Sequence, residues 1–302
     1  MELRHKLILD FWNRSRQLTV SNKEYSNFAN KLLSALLKED TGKGDITTNT
    51  LIKGNNEISA EITAKEDGIL AGVEEFRLLN KDLKITSLKK DGDGIKKGDL
   101  LVKLKGDAKK ILERERFSLN MLQRMSGIAT ITDNLVRKIN NQVKIAATRK
   151  TLWGDIDKKA VSIGGGLTHR LNLSDCILIK DNHLKILHYD IKKALTMAKN
   201  KSKYIEIEVE NKKQAIAAAK TIKELDSNSL FAIMLDNMSP KEIKETIKQL
   251  KAQHLYGNIL FEASGNITND NIKQYLECGA DVISSGFITN SAKALNISQE
   301  IK

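Results

Sequence analysis

Cysteine is scarce in this 302-residue chain: Cys176 and Cys278 are its only two, and neither sits in a Cys-x-x-Cys pair. That excludes a disulfide scaffold and makes reduced thiols in a cytoplasmic setting the expectation. Aromatic residues make up 5% of the chain and form no cluster with basic ones, so a stacking platform for single-stranded nucleic acid is not expected. No run of five or more like charges occurs, which removes a basic nucleic-acid-binding tail. No apolar stretch approaches the roughly 18 residues of a membrane span. Asp10, Asn13, Arg14 and Arg16 interrupt the apolar character near the N-terminus, and no signal peptide is read there. The single proline, Pro240, follows Ser239 and precedes a helical pattern, the position in which proline starts a helix.

What the chain has is an ordinary soluble composition, 40% hydrophobic and 29% charged, and a net charge of +12. Its lysines are scattered, often beside Glu or Asp, so the excess reads first as a lysine-rich surface and only then as a preference for anionic partners. The length suffices for one large domain plus a smaller one, or for a single barrel.

Residues 1–40 read as helical, with Leu7, Leu9, Phe11, Leu32, Leu33, Leu36 and Leu37 as apolar positions. After a turn-rich break at 41–45, short strands are expected through residue 105. The run Asp91-Gly-Asp-Gly-Ile-Lys-Lys-Gly-Asp-Leu100 resembles the turn of lipoyl and biotin carrier domains, but no Met-Lys-Met accompanies it, so only a small β-rich domain follows. A helix is expected from about 107 to 140. Beyond it, short apolar strands at 143–147, 176–179, 204–209, 231–235, 259–261 and 282–284 alternate with helical segments such as 213–225 and 240–253. This repeat implies a parallel sheet of about six or seven strands; the periodicity does not choose between a barrel and an open sheet.

In such architectures ligands meet the carboxyl ends of the strands. Every candidate strand here ends in polar chemistry: Arg149 and Lys150, Lys180, Glu208, Asp236, Ser264 and Gly265, Ser285 and Gly286, joined by His169 and Arg170. Arginine offers a planar fork to carboxylates and lysine a mobile charge to phosphate. Glu208 and Asp236 suit sugar hydroxyls or Mg²⁺. The Ser-Gly pairs suit a phosphate held by backbone N–H groups. Together they describe a site for a phosphorylated sugar and an acid. Glu206 and Glu210 alternate with Glu208, so some of these acids are expected only to pair lysines. Gly164-Gly-Gly166 does not match a dinucleotide fingerprint, and His169, His183 and His188 lack metalloprotease spacing.

The blocks Arg149-Lys-Thr151, Gly164-Gly-Gly-Leu-Thr-His-Arg170, Leu173-Ser-Asp175 and Leu178-Ile-Lys-Asp-Asn-His183 closely resemble the quinolinate phosphoribosyltransferase family. The resemblance extends to Glu39-Asp-Thr-Gly-Lys-Gly-Asp-Ile-Thr47, Glu115-Arg116, Glu206-Ile-Glu208, Met234-Leu-Asp-Asn237, Glu262-Ala-Ser-Gly265 and Asp281-Val-Ile-Ser-Ser-Gly286, about residues 35 to 290. It implies an N-terminal α/β sandwich over 1–115, with the tail 289–302 returning to it. The rest, 116–288, is implied to be an incomplete α/β barrel. It implies transfer of a phosphoribosyl group from phosphoribosyl pyrophosphate to quinolinate with decarboxylation, giving nicotinate mononucleotide for NAD biosynthesis. By the same resemblance, Arg116, Arg149, His169 and Arg170 bind quinolinate's carboxylates, and Arg116 reaches the neighbouring subunit of a homodimer or assembly of dimers. Lys150 and Lys180 match lysines near substrate and pyrophosphate. Glu208 and Asp236 match acids at the ribose and Mg²⁺, and Ser264, Gly265, Ser285 and Gly286 match the 5′-phosphate cradle. These acids and lysines carry the catalytic expectation; no nucleic acid or membrane partner is implied.

The chain departs from the family pattern at Leu152-Trp153, where Thr-Pro is common, at Thr168 for Asn, and at Asn266 for Gly, a residue that tolerates left-handed backbone. These departures leave two rivals: a superfamily relative with a different substrate, such as a molybdate-transport-associated one, and, more distantly, a basic nucleic-acid-binding protein.

Overall fold

The computed structural model describes residues 2–54 and 56–302. In chain order its elements are α1 (Glu2–Trp12), a 3-10 turn (Ser15–Gln17), α2 (Lys23–Thr41), α3 (Ile46–Leu51), β1 (Glu57–Ala64), β2 (Gly68–Ile69), α4 (Val73–Leu79), β3 (Lys84–Ser87), β4 (Gly94–Ile95), β5 (Leu100–Asp107) and α5 (Ala108–Lys138). They continue with β6 (Lys144–Ala146), α6 (Asp155–Ile163), β7 (Ile177–Ile179), α7 (Asp181–Ile186), α8 (Ile191–Ala198), β8 (Tyr204–Val209), α9 (Lys212–Glu224), β9 (Leu230–Asp236), α10 (Pro240–Ala252), β10 (Ile259–Ser264), a 3-10 turn (Ile272–Tyr275), β11 (Val282–Ser284), α11 (Phe287–Asn290) and β12 (Ile297–Ile301).

The chain forms two compact units. The first comprises the chain up to Arg14, Leu135–Thr151 and Gly166–Asn290. It is built on six parallel strands in the order β6-β11-β10-β9-β8-β7, with β6 and β7 at its two ends, so the barrel is not closed by hydrogen bonds between strands. Leu167 adds an isolated parallel bridge to Ala146 beside β6. All six strands stand where the sequence places them; β9 and β10 run further, to Asp236 and Ser264. Side chains at i and i+2 share one face of a strand. One such row holds Ala232, Leu260, Val282 and Ala146, which pack in a single buried cluster with Ile8, Phe11 and Trp12 of α1. That helix therefore supplies part of the barrel unit's core. It is tied down by Arg4, which hydrogen-bonds both oxygens of Asp281, and by the His169 N–H donating to the Trp12 carbonyl at 2.8 Å.

The second unit comprises Ser15–Asn134, Leu152–Gly165 and Ser291–Lys302. Its antiparallel sheet runs β12-β1-β5-β3, so the C-terminal tail pairs with β1, Ile62 opposite Gln299. In α5 the buried Met121, Leu122, Met125, Ile128 and Ala129 recur at helical spacing. Lys159, nearly buried, bridges Glu74 and Glu75, and Tyr25 donates to the same Glu75.

Two sequence expectations are corrected. The helical stretch 1–40 is two helices separated by a 3-10 turn, because Asn22 caps α2 by accepting the N–H groups of Glu24 and Tyr25. The strand-rich stretch from residue 46 also holds α3, capped by Asp45, and α4. Each compact unit draws on separate stretches of the chain. Residues up to Arg14 pack with the barrel, while most of α5 and residues 152–165 pack with the other unit, and these are long-range contacts that leave no mark on local periodicity.

Candidate functional site

The barrel unit places the expected chemistry at the carboxyl ends of its strands. Arg149 and Lys150 follow β6 and are exposed. Lys180 follows β7, and its Nζ lies 3.3 Å from Oε2 of Glu208 near the end of β8. Burial, reinforced by the charge of Asp236, raises the proton affinity of Glu208 above the ordinary glutamate range, with Lys180 opposing. Two acids and a lysine thus meet at one mouth, an oxygen set that fits a hard divalent cation.

Backbone geometry explains the glycines there. Gly265 has φ +98°, and a Cβ on it would fall 2.6 Å from the Asn237 nitrogen, so no larger residue fits without displacing the β9 end. Asn237 and Asn266 are left-handed as well, at φ 53° and 51°, and the Asn266 amide donates to Oδ1 of Asn237 at 3.2 Å. Asn266, where the family pattern has glycine, therefore adopts a left-handed conformation that glycine takes freely. Successive N–H groups in such turns form concavities that suit anions. Gly286 lies under Lys150, where an added Cβ would come within 2.9 Å of its Cδ, and Thr289 donates to the Lys150 carbonyl at 2.7 Å. Ser285 is buried and donates its hydroxyl to the Ile267 carbonyl.

His169 and Arg170 are each 5% exposed. Arg170 donates to the Cys176 carbonyl at 3.0 Å, and burial, with the nearby charge of Arg149, lowers its pKa. Asp175 holds the same loop by accepting the Leu171 N–H and pairing with Arg14. His169, at φ 54°, turns its ring into the barrel. Its Nε2 lies 3.1 Å from Glu262 and 3.4 Å from Glu206, both fully buried, and its Nδ1 accepts the Arg170 N–H at 2.7 Å. Burial and the charge of Glu262 push the Glu206 carboxyl up to about 7.

Glu206 thus faces His169 and Glu262, and is not one of the acids that pair a lysine. Period two places Glu206 on the same face as Glu208, one layer deeper, and that face looks inward. Glu262 and Ser284 are the residues the sequence reading overlooks, although their parity with Ser264 and Val282 is the signal that finds them. Arg116 belongs to the other unit, exposed on α5. In that unit Trp153 lies over Arg124 and beside Phe117, and its backbone N–H donates to the buried Asp157, which also pairs with Arg124.

Comparison with known proteins agrees over nearly the whole chain. Residues 128–300 match the C-terminal domain of quinolinate phosphoribosyl transferase and residues 45–126 its N-terminal domain. A probable carboxylating nicotinate-nucleotide pyrophosphorylase of Methanothermobacter thermautotrophicus is 40% identical over 90% of this chain and 98% of that protein. Its Bacillus subtilis counterpart is 39% identical over 90% and 92%. Among solved structures, nicotinate-nucleotide pyrophosphorylase from Ehrlichia chaffeensis superposes with a TM-score of 0.79 at 37% identity, covering 90% of this chain and 98% of that one.

Proposed function

The chain belongs to the quinolinate phosphoribosyl transferase family and is an enzyme of the pentosyltransferase type, and from that premise we propose that its barrel mouth joins quinolinate to phosphoribosyl pyrophosphate. The products are nicotinate mononucleotide, carbon dioxide and pyrophosphate. One observation carries this reading: Arg149, Lys150, Arg170 and Lys180, two carboxylates and two glycine turns stand at the carboxyl ends of one parallel sheet.

Both substrates are polyanions, and cations are needed to hold them together. In this reading Arg149 and Arg170 hold quinolinate's carboxylates, with His169 setting the loop that carries Arg170. Lys150 and Lys180 face the pyrophosphate. The turns at Ser264-Gly265 and Ser285-Gly286 receive the 5′-phosphate. As pyrophosphate leaves, positive charge grows on the ribose, and the buried Glu208 is placed to stabilise it. The pyridine nitrogen then bonds to the ribose carbon. Once the ring nitrogen is cationic, the electron pair left by departing carbon dioxide is stabilised on the adjacent carbon, which takes a proton from solvent. Glu208 and Asp236 would hold Mg²⁺, which when bound neutralises charge on the departing pyrophosphate. Arg116 is proposed to complete the site of a second copy in a homodimer or an assembly of dimers. No helix among the described residues is long and apolar enough to cross a membrane, and a cytoplasmic location is proposed from the reduced cysteines.

The test incubates the purified protein with Mg²⁺, phosphoribosyl pyrophosphate and either quinolinate or nicotinate, following mononucleotide and carbon dioxide by mass spectrometry. Product from quinolinate alone is expected; product from nicotinate alone, or none from a folded protein, rejects the reading.

A further inference from the structure

Below the mouth, the barrel holds a group of polar side chains that no substrate contact explains. His169 Nε2 and oxygens of Glu206 and Glu262 lie within 4.8 Å of one another, all buried. Both oxygens of Glu206, Oε1 of Glu262 and Oγ of Ser284 are buried without a hydrogen-bond partner among the described residues. Three such ligands invite a metal ion. The other side of the imidazole argues against one. A metal on Nε2 needs that nitrogen's lone pair, and a neutral ring then carries its hydrogen on Nδ1. Here Nδ1 is the acceptor of the Arg170 N–H at 2.7 Å. A hydrogen on Nδ1 would point at another hydrogen.

The same contact bears on the ring's charge. Burial disfavours the imidazolium, while the charges of Glu262 and Glu206 favour it. The donated Arg170 N–H works against the carboxylates, because it occupies the place of the second proton. The arrangement satisfied at every ring atom is the neutral tautomer: hydrogen on Nε2, donated to Glu262, and a bare Nδ1 facing the backbone.

We infer that His169 is a neutral positioning residue, whose Nε2–H is anchored by Glu262 in the barrel interior and whose bare Nδ1 fixes the Arg170 backbone at the mouth. The left-handed backbone at His169 fits this role, since it turns the ring inward while the chain continues to Arg170. Quinolinate's charge is then met by the arginine, and Glu262 acts on substrate only through this chain of contacts. The consequence for substrate, though not the tautomer, rests on the function proposed above.

The direct test is nitrogen-15 NMR of the full-length protein labelled in histidine, at neutral pH. The His169 signals are assigned by their loss in His169→Asn. One protonated ring nitrogen, Nε2, is expected; protonation of both nitrogens, or of Nδ1 alone, overturns the inference. This readout needs no turnover, so it stands apart from failure of the proposed reaction.

Kinetics give a second arm. Asparagine places an oxygen where Nδ1 lies and tolerates left-handed backbone; glutamine places its amide where Nε2 lies and leaves the Arg170 N–H without an acceptor. The Michaelis constant for quinolinate is expected to rise within about threefold in His169→Asn and by roughly five- to tenfold in His169→Gln, the loss of about one hydrogen bond. Equal large losses in both, or a larger loss for asparagine, would show that the imidazole itself binds substrate.

Discussion

Arg149 stands exposed at the end of β6, with a planar fork and, among the described residues, no carboxylate partner to compete for it. A charge-assisted pair to quinolinate is worth about 1.5–3 kcal/mol. Arg149→Ala should therefore raise the Michaelis constant for quinolinate by about 10- to 100-fold in steady-state assays while leaving that for the phosphoribosyl donor nearly unchanged. Glu208 yields a pH prediction. Burial raises its pKa, so its carboxylate is protonated at a higher pH than an ordinary glutamate. If the reacting form is the carboxylate, kcat/KM falls on the acid side through a range above that of free glutamate, and Glu208→Gln abolishes this limb. A profile flat down to the ordinary glutamate range would refute the role. Gly265→Ala puts a methyl group against the Asn237 backbone in a left-handed residue, and should lower stability by about 1–3 kcal/mol in denaturant titrations while weakening binding of the phosphoribosyl donor.

At the level of elements, helix starts and buried loop anchors decide how rigid each unit is. Pro240 opens α10 as its sequence position requires, within a box in which Ser239 and Glu242 cap each other's backbone N–H groups. The loop at 152–154 depends on Asp157, fully buried, which accepts the N–H groups of Leu152 and Trp153 and pairs with Arg124 through both oxygens. Asp157→Ala takes the bidentate carboxylate from the partly buried Arg124 and the acceptor from the N–H groups of Leu152 and Trp153. It should cost roughly 3–5 kcal/mol in chemical denaturation, and a loss below about 1 kcal/mol would show that the loop is held by other means. The barrel strands were legible because short apolar runs ending in polar residues have few other readings, and the site residues could be picked out at their ends. The interior cluster was not. Glu206 and Glu262 look like surface acids until the sheet curves and the turn at His169 brings an imidazole between them. The first 40 residues misled for a related reason: leucine spacing marks a helix but not its interruption.

For the whole molecule, the proposed exchange of Arg116 between copies gives a test by mixing. Arg116→Ala and Lys150→Ala should each be nearly inactive alone. Random reassociation of equal amounts gives half heterodimers, each with one site built from two intact halves, so about a quarter of the original activity should return. No recovery after confirmed exchange of subunits would place Arg116 outside its neighbour's site. The family could be read from ordered blocks spanning most of the chain, whereas the extents of the two units could not. Arg4 meets Asp281, and β12 meets β1, across separations that no local pattern encodes.

That long reach of α1 has a consequence for how the protein is made. Phe11 and Trp12 pack against Leu260 and Val282, so this helix, synthesised before β10 and β11, must wait for them before its apolar face is covered. Until then the nascent chain carries an unprotected greasy helix. Contacts of such sequence separation form slowly and leave intermediates prone to aggregate. Yield of active protein should therefore depend on temperature and on chaperone supply during synthesis more steeply than the finished fold's stability would indicate.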